Sequence, residues 1–143
     1  MRYLVEPFII GAMRRGRSVE QFLGPIDSPE RPGVRYAEVR PARTSYEVYV
    51  HAVEDVGHEN LLDLDGFPPF DQDAEEEDFG QLLGTAESPQ DALALAEKCT
   101  GAVRGRWVNQ GVVQDEYRDF VRAGRPSGMS PDGHPWPDPR TGP

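Results

Sequence analysis

From Glu54 to Asp78 the chain carries eleven carboxylates and no base: Glu54, Asp55, Glu59, Asp63, Asp65, Asp71, Asp73, Glu75, Glu76, Glu77 and Asp78. Acids at this density can bind a divalent cation, act in acid–base catalysis, or dock onto a basic surface. Calcium is tested by spacing. An EF-hand loop needs oxygens at positions 1, 3 and 5, glycine at 6 and glutamate at 12. Counted from Asp71, Glu76 stands in place of the glycine and Leu82 in place of the glutamate. Counted from Asp63, Phe67 and Ala74 fall where oxygen ligands belong. Neither register is a calcium loop, which leaves only weak, nonspecific divalent binding by residues 71–78, and no cofactor is expected.

Acid–base chemistry would draw on His51 and His58, which flank Glu54 and Asp55. The spacing is not that of a zincin, which needs two histidines four apart on a helix. On a strand, residues seven apart face opposite sides, so the two imidazoles meet only if Gly57 turns the chain. Two ordinary histidines at a strand end is the plainer reading. Cys99 lies on an Ala/Leu stripe and reads as a small core residue. No Gly-x-Ser-x-Gly elbow, dinucleotide fingerprint or Walker loop occurs; Gly101 to Arg106 has glycines but lacks the Lys-Ser/Thr of a phosphate loop.

Docking fits the charge best. The net charge is −10, and residues 51–100 alone hold fourteen acids against Lys98. That sign argues against direct nucleic-acid binding. Leu61, Leu62, Leu64, Phe67, Phe70 and Phe79 are interleaved with the acids, so the segment packs one face and presents the other. The expected docking residues are Glu59, Asp63, Asp65, Asp71, Asp73, Glu75, Glu76, Glu77 and Asp78, with Phe67 and Phe70 as apolar anchors inside a charged rim. The favoured reading is therefore a non-enzymatic acidic protein that binds a basic protein partner, as small bacterial inhibitors and immunity proteins do. The alternatives are a small enzyme or ligand-binding domain using carboxylates and His51/His58, and an accessory subunit of a larger assembly. Arg14, Arg15 and Arg17 form a small basic patch, expected to pair with the acidic segment or to balance the first helix.

These side chains need a frame. The chain has 143 residues, fitting one domain. One cysteine gives no disulfide framework and suits a reducing compartment. Glu6, Pro7 and the following arginines break any signal-peptide pattern, and no apolar run is long enough to span a bilayer, so a cytoplasmic location is expected. Fourteen Arg against one Lys resembles the product of a GC-rich bacterial genome.

The pattern predicts a strand over 3–12 and a short helix over 18–24, where Ser18 and Gln21 resemble a capping box and Gly24 a stop. It predicts an antiparallel hairpin from Val34–Arg40 and Ser45–Asp55, and short strands at 60–64, 81–86 and 104–108. Ser88-Pro89-Gln90-Asp91 is the best helix start in the chain, and Gly101 ends that helix. Val113, Tyr117, Phe120 and Val121 predict a last helix. The expected fold is α+β: a mostly antiparallel sheet of about five strands with two or three helices on one face, over residues 1–124. Residues 125–143 hold six prolines and three glycines and read as an extended or disordered tail, dispensable for folding, with His134 and Trp136 as the anchors if it is held.

Overall fold

The structure is a computed structural model that describes residues 2–70 and 80–137. In chain order the elements are α1 (Glu6–Arg14), β1 (Val19–Ile26), β2 (Gly33–Pro41), β3 (Tyr46–Glu54), β4 (Gln81–Ala86), α2 (Pro89–Thr100), β5 (Val108–Asn109) and α3 (Val113–Arg122). Single 3-10 turns lie at Leu64–Gly66 and Arg104–Arg106. The strands form one antiparallel sheet in the order β4-β3-β2-β1-β5. The fold is α+β.

Period-2 alternation along the strands supplies two apolar faces, and each is covered. Val19 and Leu23 of β1, Ala37 and Val39 of β2 and Val48 of β3 face α1 and α2, where Ile9, Met13, Ala92, Leu93 and Ala96 meet them around the fully buried Trp107. Phe22, Val34, Tyr36 and Val53 face the other way, onto Tyr117 and Phe120 of α3 and onto Leu64 and Phe67. Two helices thus share one face, and α3 lies on the opposite one.

The hairpin, the strand at 81–86 and the last two helices form as the pattern predicts. At α2, Ser88 Oγ accepts from the Asp91 N–H at 3.1 Å, and Gly101 is left-handed at φ 78. Its buried stripe is Ala92, Leu93, Ala96 and Thr100, with Leu95 and Cys99 half-buried.

Four local expectations are corrected. Residues 6–14 are helical, not a strand: Pro7 sits in the first turn with Glu6, and Ile9, Ala12 and Met13 recur at helical spacing on the buried side. Residues 19–26 are a strand, not a helix. Here β1 pairs with β2 on one side and β5 on the other, and this tertiary ladder overrides a capping pattern worth less than two helical turns. Residues 60–64 form no strand; His58 and Leu61 close a tight turn, and Leu64 begins a 3-10 turn. At 104–108 a 3-10 turn precedes Trp107, and pairing starts only at Val108.

Residues 125–137 return across the α3 face. Trp136 meets Phe22 and Phe120 edge-on, with ring centroids 5.6 and 6.0 Å apart, and its Nε1–H donates to Pro126 O at 2.9 Å. The ring lies on Gly24, a bulge position at φ 89 where any Cβ would collide with it. Ser130 Oγ accepts from the His134 N–H at 3.0 Å, which closes a small turn, while the imidazole of His134 is exposed. Trp136 is thus the anchor.

Candidate functional site

The described part of the acidic segment is tied to the protein's own bases and hydroxyls. Glu54 Oε1 lies 4.0 Å from Arg31 Nε. Glu59 accepts from Arg122 Nε at 2.7 Å, and Asp63 from Gln114 at 3.3 Å. Asp65, exposed, accepts from the buried Tyr36 hydroxyl at 2.7 Å. Asp55 is the deepest of these acids, 8% exposed. It accepts from Tyr117 at 2.5 Å and from Arg125 Nε at 2.8 Å, while Arg125 Nη2 donates to Gly57 O at 2.6 Å. Burial and this carboxylate push the Tyr117 hydroxyl up to about 12. Arg125 holds these contacts at φ 56, a left-handed conformation unusual outside glycine. One acid thereby pins the end of β3, α3 and the start of the returning tail.

The two aromatic candidates differ from expectation in position. Phe67 is buried, 5.5 Å from the Tyr117 ring, so it is a core residue and its ring is not offered to a partner. Phe70 is half-buried, with the Arg31 guanidinium 4.5 Å over its ring and its carbonyl accepting from Arg31 Nη2. Asp71, Asp73, Glu75, Glu76, Glu77 and Asp78 lie outside the described residues. Their attachment points do not: Phe70 N–H donates to Ala52 O at 2.9 Å, and Gln81 pairs with Val50. Both ends of segment 71–79 therefore leave from the same stretch of the β3 edge. Gly80, at φ 79, is obligatory there, because a Cβ would sit 2.6 Å from His51 Nδ1.

His51 belongs to a polar cluster on the α3 side of the sheet, well apart in role from His58, whose Nδ1 only accepts from Asn60 N–H in a surface turn. Glu20 and Glu38 are paired residues of β1 and β2, each 4% exposed. Glu38 receives His51 Nε2 at 2.8 Å and both Arg40 nitrogens at 2.9 and 3.0 Å. An ionised carboxylate only accepts, so Nε2 carries the proton. Burial would raise Glu38, but these donors outweigh it and hold it at about 2. Glu20 has the Gly111 N–H at 2.8 Å. Burial, with Glu38's charge alongside, lifts it to about 7. Tyr36 stacks on His51 at 4.4 Å and completes the row. The strand alternation contained this cluster, since Glu20, Tyr36, Glu38 and His51 all fall on one face once β1 is recognised as a strand. Chemically it is one carboxylic acid able to hold a proton at neutral pH beside one that cannot.

A cavity of about 350 Å³ opens between the N-terminal residues, α3 and the returning tail. Its lining joins the Phe22 and Trp136 rings to a charged set that includes Arg2, Arg106, Glu116, Asp119 and Asp132. Neither this cavity nor Trp136's place in it could be read from composition. Among the described residues no group of three or more His, Cys, Asp or Glu is disposed to hold a metal ion, and no helix is long and apolar enough to cross a membrane. Comparison with protein-family models, curated proteins and solved structures returned no match.

Proposed function

We propose that the protein is a non-enzymatic binding protein, of inhibitor or immunity type, that docks a basic protein partner through the carboxylates of residues 71–78. The observation that carries the reading is where the unbalanced charge is attached. Six acids and no base fall between Phe70 and Gly80, within a chain whose net charge is −10, and both ends of that stretch are held at the β3 edge. The acids of residues 54–65 are engaged by Arg31, Arg122, Arg125, Gln114 and two tyrosines, so they serve the fold first; Glu59, Asp63 and Asp65 add only a margin to the docking surface. With Phe67 in the core, the apolar residues among the described ones that flank the stretch in the chain are Phe70, half-buried, and Leu82, 49% exposed on edge strand β4. Dense like charge steers a basic partner and raises its association rate by about 10–1,000-fold at low salt.

The test is kinetic. Partners are captured from the native host at low and high salt, and binding of each is followed by surface plasmon resonance. Replacing Glu75, Glu76 and Glu77 with Gln and Asp78 with Asn is expected to slow association at least about tenfold at low ionic strength and to flatten its salt dependence. Dissociation should change little, whereas Leu82→Ala should speed it. An association rate untouched by the four substitutions would overturn the docking reading.

A further inference from the structure

We propose that the cavity beneath the returning tail binds a small organic ammonium ion with a compact aromatic or aliphatic body. The inference is independent of the docking surface. Part of the lining is apolar: Trp136 is held by its hydrogen bond to Pro126 O and stands edge-on to Phe22. The charged part of the lining is a chain of alternating charges. Asp119 and Glu116 both accept from Arg2 Nη1 at 2.6 Å, Glu116 Oε1 lies 3.9 Å from Arg106, and Arg106 grips Asp132 through two nitrogens at 2.9 and 3.1 Å. Arg106 also donates to the Tyr3 hydroxyl at 2.7 Å and lies 4.6 Å over its ring.

The sign of the ligand follows from this arithmetic. Three carboxylates and two guanidiniums line the cavity, so the lining is negative by one charge, with Arg118 outside it 3.7 Å from Asp119 Oδ1. Arg106 is spread over Asp132, Glu116 and the Tyr3 hydroxyl, and Arg2 gives Nη1 to both Glu116 and Asp119, so it is the charge balance of the lining, not a lack of donors, that favours a cation. The acids at the two ends of the chain are the open ones: the side chain of Asp132 is 48% exposed and that of Asp119 34%, against 11% for Glu116 between them. Asp132 Oδ1 already accepts from both Arg106 and Ser130 Oγ, but Asp132 Oδ2 and Asp119 Oδ2 each accept one hydrogen bond from an arginine and keep a second lone pair, so both ends can take an ammonium donor. The Trp136 and Phe22 rings add an apolar surface for the body and an electron-rich face for the charge. A cavity of about 350 Å³ is within the range of sites for small molecules, roughly 300–1,000 Å³.

The experiment uses the two tryptophans as internal probe and control. Trp136 lines the cavity, and Trp107 is fully buried in the other core. The ¹⁵N-labelled full chain is titrated to millimolar levels with phenethylamine, and separately with phenylacetate and phenylethanol, which keep the ring and change the charge. The expected result is a saturable shift of the Trp136 indole N–H with the amine, no shift at Trp107, and at least about tenfold weaker response to the two controls. Asp119→Asn and Asp132→Asn, each checked for an unchanged Trp107 signal, should each weaken the amine and leave phenylethanol unaffected. Absence of a saturable Trp136 shift, an equal response to phenylacetate, or indifference to both substitutions would overturn the assignment.

Discussion

Glu20 and Glu38 sit side by side on adjacent strands, yet one is raised to about 7 and the other lowered to about 2. Their stability effects therefore oppose each other. Glu20's folded value lies above its ordinary 4.5, so the stability tied to its neutral form is complete below pH 4.5 and is lost as pH rises to 7. Glu38's folded value lies below 4.5, so its contribution is present above that pH and is lost as pH falls toward 2. Glu20→Gln should keep the bond from Gly111 through the amide oxygen while removing the ionisation. Urea denaturation is expected to show the variant level with wild type below pH 4.5 and more stable at pH 8, by at most about 3 kcal/mol. Glu38→Gln should do the reverse, lowering stability at neutral pH because His51 and Arg40 lose an ionised acceptor. A Glu20→Gln profile parallel to wild type from pH 4 to 8 would mean that Glu20 ionises freely.

Helix α2 and the returning tail show how local and tertiary signals differ in reach. The α2 cap is local: Ser88 accepts from Asp91 within its own turn, so Ser88→Ala should cost about 0.5–2 kcal/mol in chemical denaturation. The tail is held by remote contacts. Ending the chain at Arg125 removes Trp136 from Phe22, Phe120 and Gly24, and should lower stability by about 2 kcal/mol. That is less than the ~3–5 kcal/mol of a fully buried aromatic, because one side of the ring faces the cavity. Trp136→Ala in the full chain should reproduce most of that loss, and a truncated chain with wild-type melting would show the ring contributes nothing to the fold.

Across the molecule, charge and hydrophobicity are arranged along different directions. The apolar faces lie above and below the sheet. Two groups of charge lie toward its ends: exposed Arg14, Arg15, Arg17 and Arg43 where β1 begins and β2 ends, and the acids of residues 54–70 where β3 ends. The bases of the first group are thus at the far end from the described acids of the segment they were expected to meet, and Arg31, Arg122 and Arg125 partner Glu54, Glu59 and Asp55 instead. Edge strand β4 follows directly on the acidic stretch, and like charge beside an open edge discourages strand-to-strand association between copies. The four-charge neutralisation at Glu75–Asp78 should therefore leave the melting temperature within the scatter of surface mutants while raising self-association, measured by sedimentation velocity.

The sequence by itself determined the elements whose signals are local and strong: the β2–β3 alternation, the Ser-Pro-x-Asp start and Gly101 stop of α2, the spacing of Val113, Tyr117 and Phe120, and the concentration of acid at 54–78. Each rests on neighbours within one or two turns or strand positions, which a linear reading contains. Tertiary structure decided the rest. Residues 19–26 became a strand because partners arrive from β2 and β5, and residues 6–14 a helix because Ile9, Ala12 and Met13 meet a core built by remote segments. Phe67 went inward because Tyr117, fifty residues on, covers it. The Glu20–Glu38–His51 row and the cavity under Trp136 required the register of three strands and the return of the tail. A buried polar group or a cavity is defined by what lies across from it in space, and that partner is chosen by the fold as a whole.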